Sequence, residues 1–267
     1  MSLILIEVFH AYTHNINVMK TNKCFETFPK RNEVKEFLKE LKSYMYPNYF
    51  EDAGDDISSF KKKKLEVIKN IYLKSICKTT WDKFALVIDD IKAKLDKDLD
   101  FFYEGDPAAD SKDEIIMAYP GFMAIAYYRI AHELYKLGVC YVPRIITEIA
   151  HSKTGIDIHP ACKIGCPFFI DHGTGIVIGE TSEIGNYVKM YHGVTLGALS
   201  LEGGHTLHGV KRHPTIKDYV TIYAGASILG GETVIEERAV IGSNVFIVNS
   251  VVKDTKVIYS ENNVKIK

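Results

Sequence analysis

A helical N-terminal domain followed by a left-handed parallel β-helix of hexapeptide repeats, an α+β architecture, is predicted by two periodicities and by the point where one replaces the other. From Ile216 an aliphatic or aromatic residue stands at every sixth position: Ile216, Ile222, Ile228, Val234, Val240, Phe246 and Val252. With roughly a third of residues in that class, such a run has a chance probability of about one in two thousand. Helices repeat near 3.6 and strands at about 2, so this longer period belongs to stacked turns of equal length. Before residue 155 the apolar spacing is that of helices.

The elements follow in order. Leu3 to Phe9 is apolar but contains Glu7, is too short to span a bilayer and carries no small-residue cleavage pattern, so no signal peptide or membrane helix is expected. Val34, Phe37, Leu38, Leu41, Tyr44 and Met45 share one helical face. So do Leu65, Ile68, Tyr72 and Ile76, and then Trp81, Phe84, Ile88, Ile91 and Leu95. The Lys61 to Lys64 run reads as a solvated helix start. Ser111-x-x-Glu114 fits a capping box, Pro120 and Gly138 bracket a further helix, and another runs from Pro143 to Lys153, closed by Gly155. The helical domain is placed at 1–154, where it would cover the open edge of the first coil and supply an oligomerisation surface.

The β-helix is placed at 155–252, with a tail over 253–267. Ile158, Ile164, Ile170 and Ile176 keep the step of six, which resumes two places out of register as Ile178, Ile184, Met190 and Leu196. Gly165, Gly179, Gly185 and Gly197 follow these aliphatics, where tight corners need little bulk. The segment 198–211 keeps no register and should bulge out as a loop, the kind of interruption that commonly carries function. A triangular prism has flat sides that associate around a closed axis, so a homotrimer or a dimer of trimers is expected.

Composition narrows the partners. With 33 basic and 34 acidic residues there is no general electrostatic case for nucleic acid or for a membrane surface. Cys24, Cys77, Cys140, Cys162 and Cys166 are odd in number and scattered, as reduced thiols in a cytoplasmic protein would be. Cys162 and Cys166 lack a second ligand pair nearby, so packing is the reading and no metal is expected.

The polar residues suggest proton transfer and carboxylate binding. Asp171 and His172 fall at the register break, where irregular backbone presents side chains. A neutral imidazole can take a hydroxyl proton, which makes His172 the candidate general base; Asp157, in the preceding coil, could hold its Nδ1–H. A structural histidine at a turn is the competing reading. Arg212 and His213 are a plausible carboxylate clamp or, equally, a solvated turn before Pro214. His159 and His192 compete as bases or metal ligands, and with His172 would be the imidazoles of a zinc hydratase; His205 and His208 lie in the loop and should face water.

At these residues the chain resembles the serine O-acetyltransferases. The resemblance covers roughly residues 120–252 and rests on Asp157-Ile158-His159-Pro160, Asp171-His172-Gly173-Thr174-Gly175-Ile176-Val177-Ile178-Gly179-Glu180-Thr181, Gly193-Val194-Thr195-Leu196-Gly197, Arg212-His213-Pro214 and Tyr223-Ala224-Gly225-Ala226-Ser227-Ile228-Leu229-Gly230, and Glu104-Gly105-Asp106-Pro107-Ala108 is similar to the family's aspartate-proline loop. It implies acetyl transfer from acetyl-CoA to L-serine by direct attack, with His172 as base and Asp157 orienting it. Arg212 and His213 would hold the serine carboxylate, and Asp106 and Asp171 its ammonium. The pantetheine of acetyl-CoA would pass Gly197, Ala198, Ala224, Gly225 and Ala226 between subunits. L-cysteine is the implied feedback inhibitor. Relatives that bind O-acetylserine sulfhydrylase end in isoleucine; here Lys267 follows Ile266, so that partnership is not expected.

Overall fold

Amphipathic spacing produces the N-terminal helices, and the computed structural model describes residues 28–259. Leu3 to Phe9, Cys24, Ile266 and Lys267 lie outside them. Helices α1 (Arg31–Met45), α2 (Ile57–Ile71, continued by a π-helical turn Tyr72–Ile76) and α3 (Trp81–Gly105) are followed by α4 (Lys112–Ala118), α5 (Pro120–Lys136) and α6 (Val142–Thr154). The predicted apolar faces meet: Phe37, Tyr72 and Phe84 are fully buried, with ring centroids 5.8 Å apart for Phe37–Tyr72 and 5.1 Å for Tyr72–Phe84. The Ser111 hydroxyl accepts the Glu114 N–H at 3.2 Å and caps α4, while Gly155, left-handed at φ 71°, closes α6.

The lysine run departs from expectation. Lys64 is buried and donates to Glu40 at 2.6 Å and to Glu51, because it lies one turn before buried Ile68 on the face that packs on α1. Three of the four lysines remain at or near the surface, but this end of the run is an internal ion pair.

Among the described residues fourteen short strands follow, β1 (Asp157–Ile158) to β14 (Lys256–Val257), in three parallel sheets. Face A stacks β1, β4 (Val177–Ile178), β7 (Thr195–Gly197), β10 (Ser227–Leu229) and β13 (Phe246–Ile247); face B stacks β2 (Lys163–Ile164), β5 (Glu183–Ile184), β8 (Thr215–Ile216) and β11 (Val234–Ile235); face C stacks β3 (Phe168–Asp171), β6 (Val188–Tyr191), β9 (Thr221–Ile222), β12 (Val240–Ile241) and β14. Each of the first four turns gives one strand to each face, and the fifth adds only the isolated bridge Ile235–Val251 to face B. Ile158, Ile178, Leu196, Ile228 and Ile247 stack in register on face A. The solenoid continues to Val257, past the boundary expected at residue 252. Between Gly197 and Thr215 the loop carries only a 3-10 turn, Gly204–Leu207.

The run of seven turns out to join two columns. Ile216, Ile222 and Ile228 face inward, but the next inward residues are Ile235, Ile241 and Ile247, while Phe246 and Val252 are 67% and 70% exposed. One extra residue at the Gly230-Gly231 corner exchanges the inner column for its outer neighbour, and both columns repeat every six residues. The earlier break is real: two extra residues between Ile170 and Ile178 form the corner that carries His172.

The helices satisfy the open edge of the first coil. Tyr128 Oη donates to Cys162 O at 2.7 Å and accepts the Ile164 N–H at 3.0 Å. Asp98 accepts the Phe168 N–H at 2.9 Å, and Arg129, paired with buried Asp98, donates to Gly165 O at 2.9 Å. Unpaired strand edges left buried would cost free energy, so these side chains stand in for a missing strand. Cys162 and Cys166 form no disulfide; burial pushes Cys162 up and holds Cys166 at about 11.

Candidate active site

Face A has two polar edges. The chain enters it through the corner 172–176 and leaves it at Gly179-Glu180-Thr181, against which the end of the long loop packs.

On the entry edge His172 has φ 56°, a left-handed conformation unusual for a side chain with a Cβ. Its ring is exposed; Nε2 lies 3.7 Å from Asp171 Oδ1, and the His192 ring, from the next coil, is 5.7 Å away. The corner rests on the turn before Asp157: the Gly175 N–H donates to Gly155 O at 2.8 Å, and a Cβ on Gly173 would lie 2.4 Å from Ile156 Cδ1. Asp157 Oδ1, however, accepts from Arg144 at 3.3 Å, and among the described residues no hydrogen bond joins it to His172. The end of α3 brings Asp106 towards Asp171, and Tyr119 Oη donates to Asp106 Oδ2 at 2.7 Å.

The exit edge is locked. Arg212 donates to Glu180 Oε2 at 2.5 Å and to Leu207 O at 2.7 Å. Its N–H and that of His213 both donate to Thr181 Oγ1, at 2.9 and 3.1 Å. The Thr181 N–H donates to His213 Nδ1 at 3.1 Å, so Nδ1 is an acceptor and the proton of the neutral ring is on Nε2. Burial, then the Arg212 guanidinium, holds His213 down at about 4, so the ring is neutral at physiological pH. Only a glycine fits beneath it, since a Cβ on Gly179 would lie 2.0 Å from His213 Cδ2. Arg212 and His213 are therefore no solvated turn.

Glu180 is 6% exposed, and desolvation opposes its charge, but the Arg212 hydrogen bond and charge keep its carboxyl below the usual range. His208, in the loop, is exposed but brings Nδ1 to 3.1 Å from Glu180 Oε1. His159 Nδ1 accepts the Ala161 N–H at 3.1 Å, and burial, then Arg144, lowers its basicity. His159, His172 and His192 do not gather into one ligand set. Among the described residues the group that could is Glu148, His151 and Asp157, where Arg144 already pairs with Glu148 at 2.5 Å.

The residues tied by resemblance to acetyl-CoA divide between the edges. Gly197 and Ala198 lie on the exit side; Ala224 and Gly225 lie on the entry side, Gly225 donating its N–H to His192 O at 2.9 Å. Ala226 turns its side chain into the fully buried interior. Sequence reasoning gave no role to Glu180, Thr181 or Tyr119. The first two stand 32 residues from Arg212 and His213, the offset by which Glu183 pairs Thr215, a relation visible only once the length of the loop insertion is known.

No protein-family model matches the chain. A plasmid-encoded serine acetyltransferase of Synechococcus elongatus is 40% identical over 257 residues, covering 85% of this chain and 80% of that protein. The serine acetyltransferase of Bacillus licheniformis is 51% identical over 140 residues, 52% of this chain and 62% of that one. Among solved structures, isoform 3 from Entamoeba histolytica in complex with cysteine superposes with a TM-score of 0.77 at 34% identity, covering 92% of this chain and 87% of that one. The Neisseria gonorrhoeae enzyme in complex with serine gives 0.63 at 29%, covering 85% and 82%. A serine acetyltransferase in complex with CoA gives 0.60 at 26%, covering 84% and 80%. A helix-capped parallel β-solenoid with a histidine corner and an arginine-histidine lock is the class the fold and site define. The chain belongs to the serine acetyltransferase family.

Proposed function

We propose that this protein transfers the acetyl group of acetyl-CoA to the hydroxyl of L-serine, at sites formed where the entry edge of one chain meets the exit edge of another in a trimer. The observation that carries this reading is that the His172 corner and the Arg212-His213 lock stand on opposite edges of one face. A three-carbon amino acid cannot bridge a whole face, whereas two copies packed around a closed axis bring unlike edges together.

In this arrangement Arg212 and the neutral His213 Nε2–H take the serine carboxylate, and Asp106 and Asp171 take its ammonium. His172 removes the hydroxyl proton as the serine oxygen attacks the thioester carbonyl. The C–S bond then breaks, and the proton passes from His172 to the departing CoA sulfur. Asp157 orients the imidazole through Oδ2, since the Arg144 hydrogen bond falls on its Oδ1. Gly197, Ala198, Ala224 and Gly225 leave room beside the backbone for pantetheine. L-Cysteine, with the same carboxylate and ammonium as serine, competes for the site in the cytoplasm, where the thiols stay reduced.

The test is CoA thiol release from acetyl-CoA with L-serine, beside L-threonine, homoserine and a sugar panel. Release with serine above all others is expected. Release with a sugar and not with serine would transfer the activity to another acceptor class.

A further inference from the structure

Helix α3 ends on a carboxylate in an unfavourable place. Asp106 caps the C-terminus of a 25-residue helix, the pole at which the helix dipole disfavours negative charge, and no basic residue stands in the last turn. Asp171 adds to the same negative region, since both carboxylates raise the hydroxyls of Tyr119 and Tyr191, for Tyr119 through its hydrogen bond to Asp106 first and for Tyr191 through burial first. Lys189 also lies on this side, its ammonium held over the Phe101 and Phe169 rings at 5.2 and 5.7 Å.

Something must hold Asp106 at a fixed distance from Asp171, because the two sit on different domains. Tyr119 joins α4 to α5, and Pro120 after it keeps its backbone extended, at φ −76° and ψ 119°. Gly121, the next residue, presses on β3: a Cβ there would lie 2.4 Å from Ile170 O, one residue before Asp171. The Tyr119 backbone is thus fixed to the strand that carries Asp171, and its hydroxyl reaches across to Asp106 Oδ2 at 2.7 Å.

We infer that Tyr119 is a positioning residue, whose hydroxyl sets the spacing of Asp106 and Asp171 and thereby the affinity for an acceptor bearing an ammonium group. This rests on the reading of those carboxylates as the ammonium subsite.

A double-mutant cycle on the full-length protein tests it. Tyr119→Phe should raise KM for L-serine about tenfold, as loss of one hydrogen bond to a charged group does. It should leave kcat and KM for acetyl-CoA within about twofold. Asp106→Asn should raise the serine KM at least as much, and Tyr119→Phe added to it should change little further. If Tyr119→Phe multiplies the Asp106→Asn defect in full, or raises both KM values while lowering kcat, the residue acts on the fold and the inference fails. If Asp106→Asn raises the serine KM and Tyr119→Phe does not, the inference fails and the subsite stands. If Asp106→Asn leaves the serine KM unchanged, the subsite fails and the inference goes with it.

Discussion

The two edges of face A are built on opposite principles. On the entry edge His172 hangs from a left-handed corner, exposed, with Asp171 at 3.7 Å as its nearest charged neighbour. On the exit edge His213 is 7% exposed, its tautomer fixed by a backbone N–H, and Arg212 is pinned by a buried carboxylate. A group that must accept and return a proton profits from freedom to turn. A group that must recognise a carboxylate profits from donors already aimed, since ordering them on binding would cost affinity.

The contrast breaks most sharply at His172. His172→Ala should lower kcat by about a thousandfold with the serine KM little changed, the loss of a general base; thiol-release kinetics read it. A change confined to KM would assign His172 to binding.

On the exit edge the pattern should invert. Arg212→Ala should raise the serine KM by about a hundredfold and also lower the thermal midpoint, because Glu180 is left buried without its partner. Glu180→Gln keeps the shape and should lose less on both measures. Gly179→Ala should raise the serine KM by about tenfold by pushing His213 aside, while an acetyl-CoA titration stays near wild type.

The smallest effect is on stability. Between about 4 and the ~6.5 of an unfolded chain, the unfolded state takes up a proton that folded His213 refuses. Stability is therefore full above ~6.5 and falls as the pH drops towards about 4. His132 and His159, also lowered chiefly by burial, act in the same sense. Thermal denaturation across this range should show a shallower fall for His213→Asn than for wild type; equal slopes would mean that the ring is not held neutral.

The fold was legible because burial writes periodicity into a sequence. Leu38, Ile68 and Ile88 mark helical faces, and Ile178, Ile184 and Met190 mark the faces of a coil. What escaped was a difference of one residue at the Gly230-Gly231 corner: inner Ile235 and outer Val234 are both aliphatic, and period alone cannot tell which column is inside. The site was legible in its residue types and not in its connections. His172, Arg212 and His213 stand out by chemistry, but Glu180 and Thr181 meet Arg212 and His213 through a loop whose length no period encodes, and Tyr119 reaches Asp106 through helix packing. The partnership of Asp157 with Arg144 was equally invisible, since nothing local distinguishes a carboxylate awaiting an imidazole from one held by a guanidinium.

The central claim is that unlike edges of different chains form each site, and mixing two impaired variants tests it most directly. His172→Ala and Arg212→Ala chains, unfolded together and reassembled in equal amounts, should recover about a quarter of wild-type activity, because one neighbouring pair in four joins an intact His172 edge to an intact Arg212 edge. Assayed at serine below the wild-type KM, each variant reassembled alone should stay at about a hundredth of wild-type activity or less. A mixture no more active than its components would place both edges of a site in one chain and contradict the account.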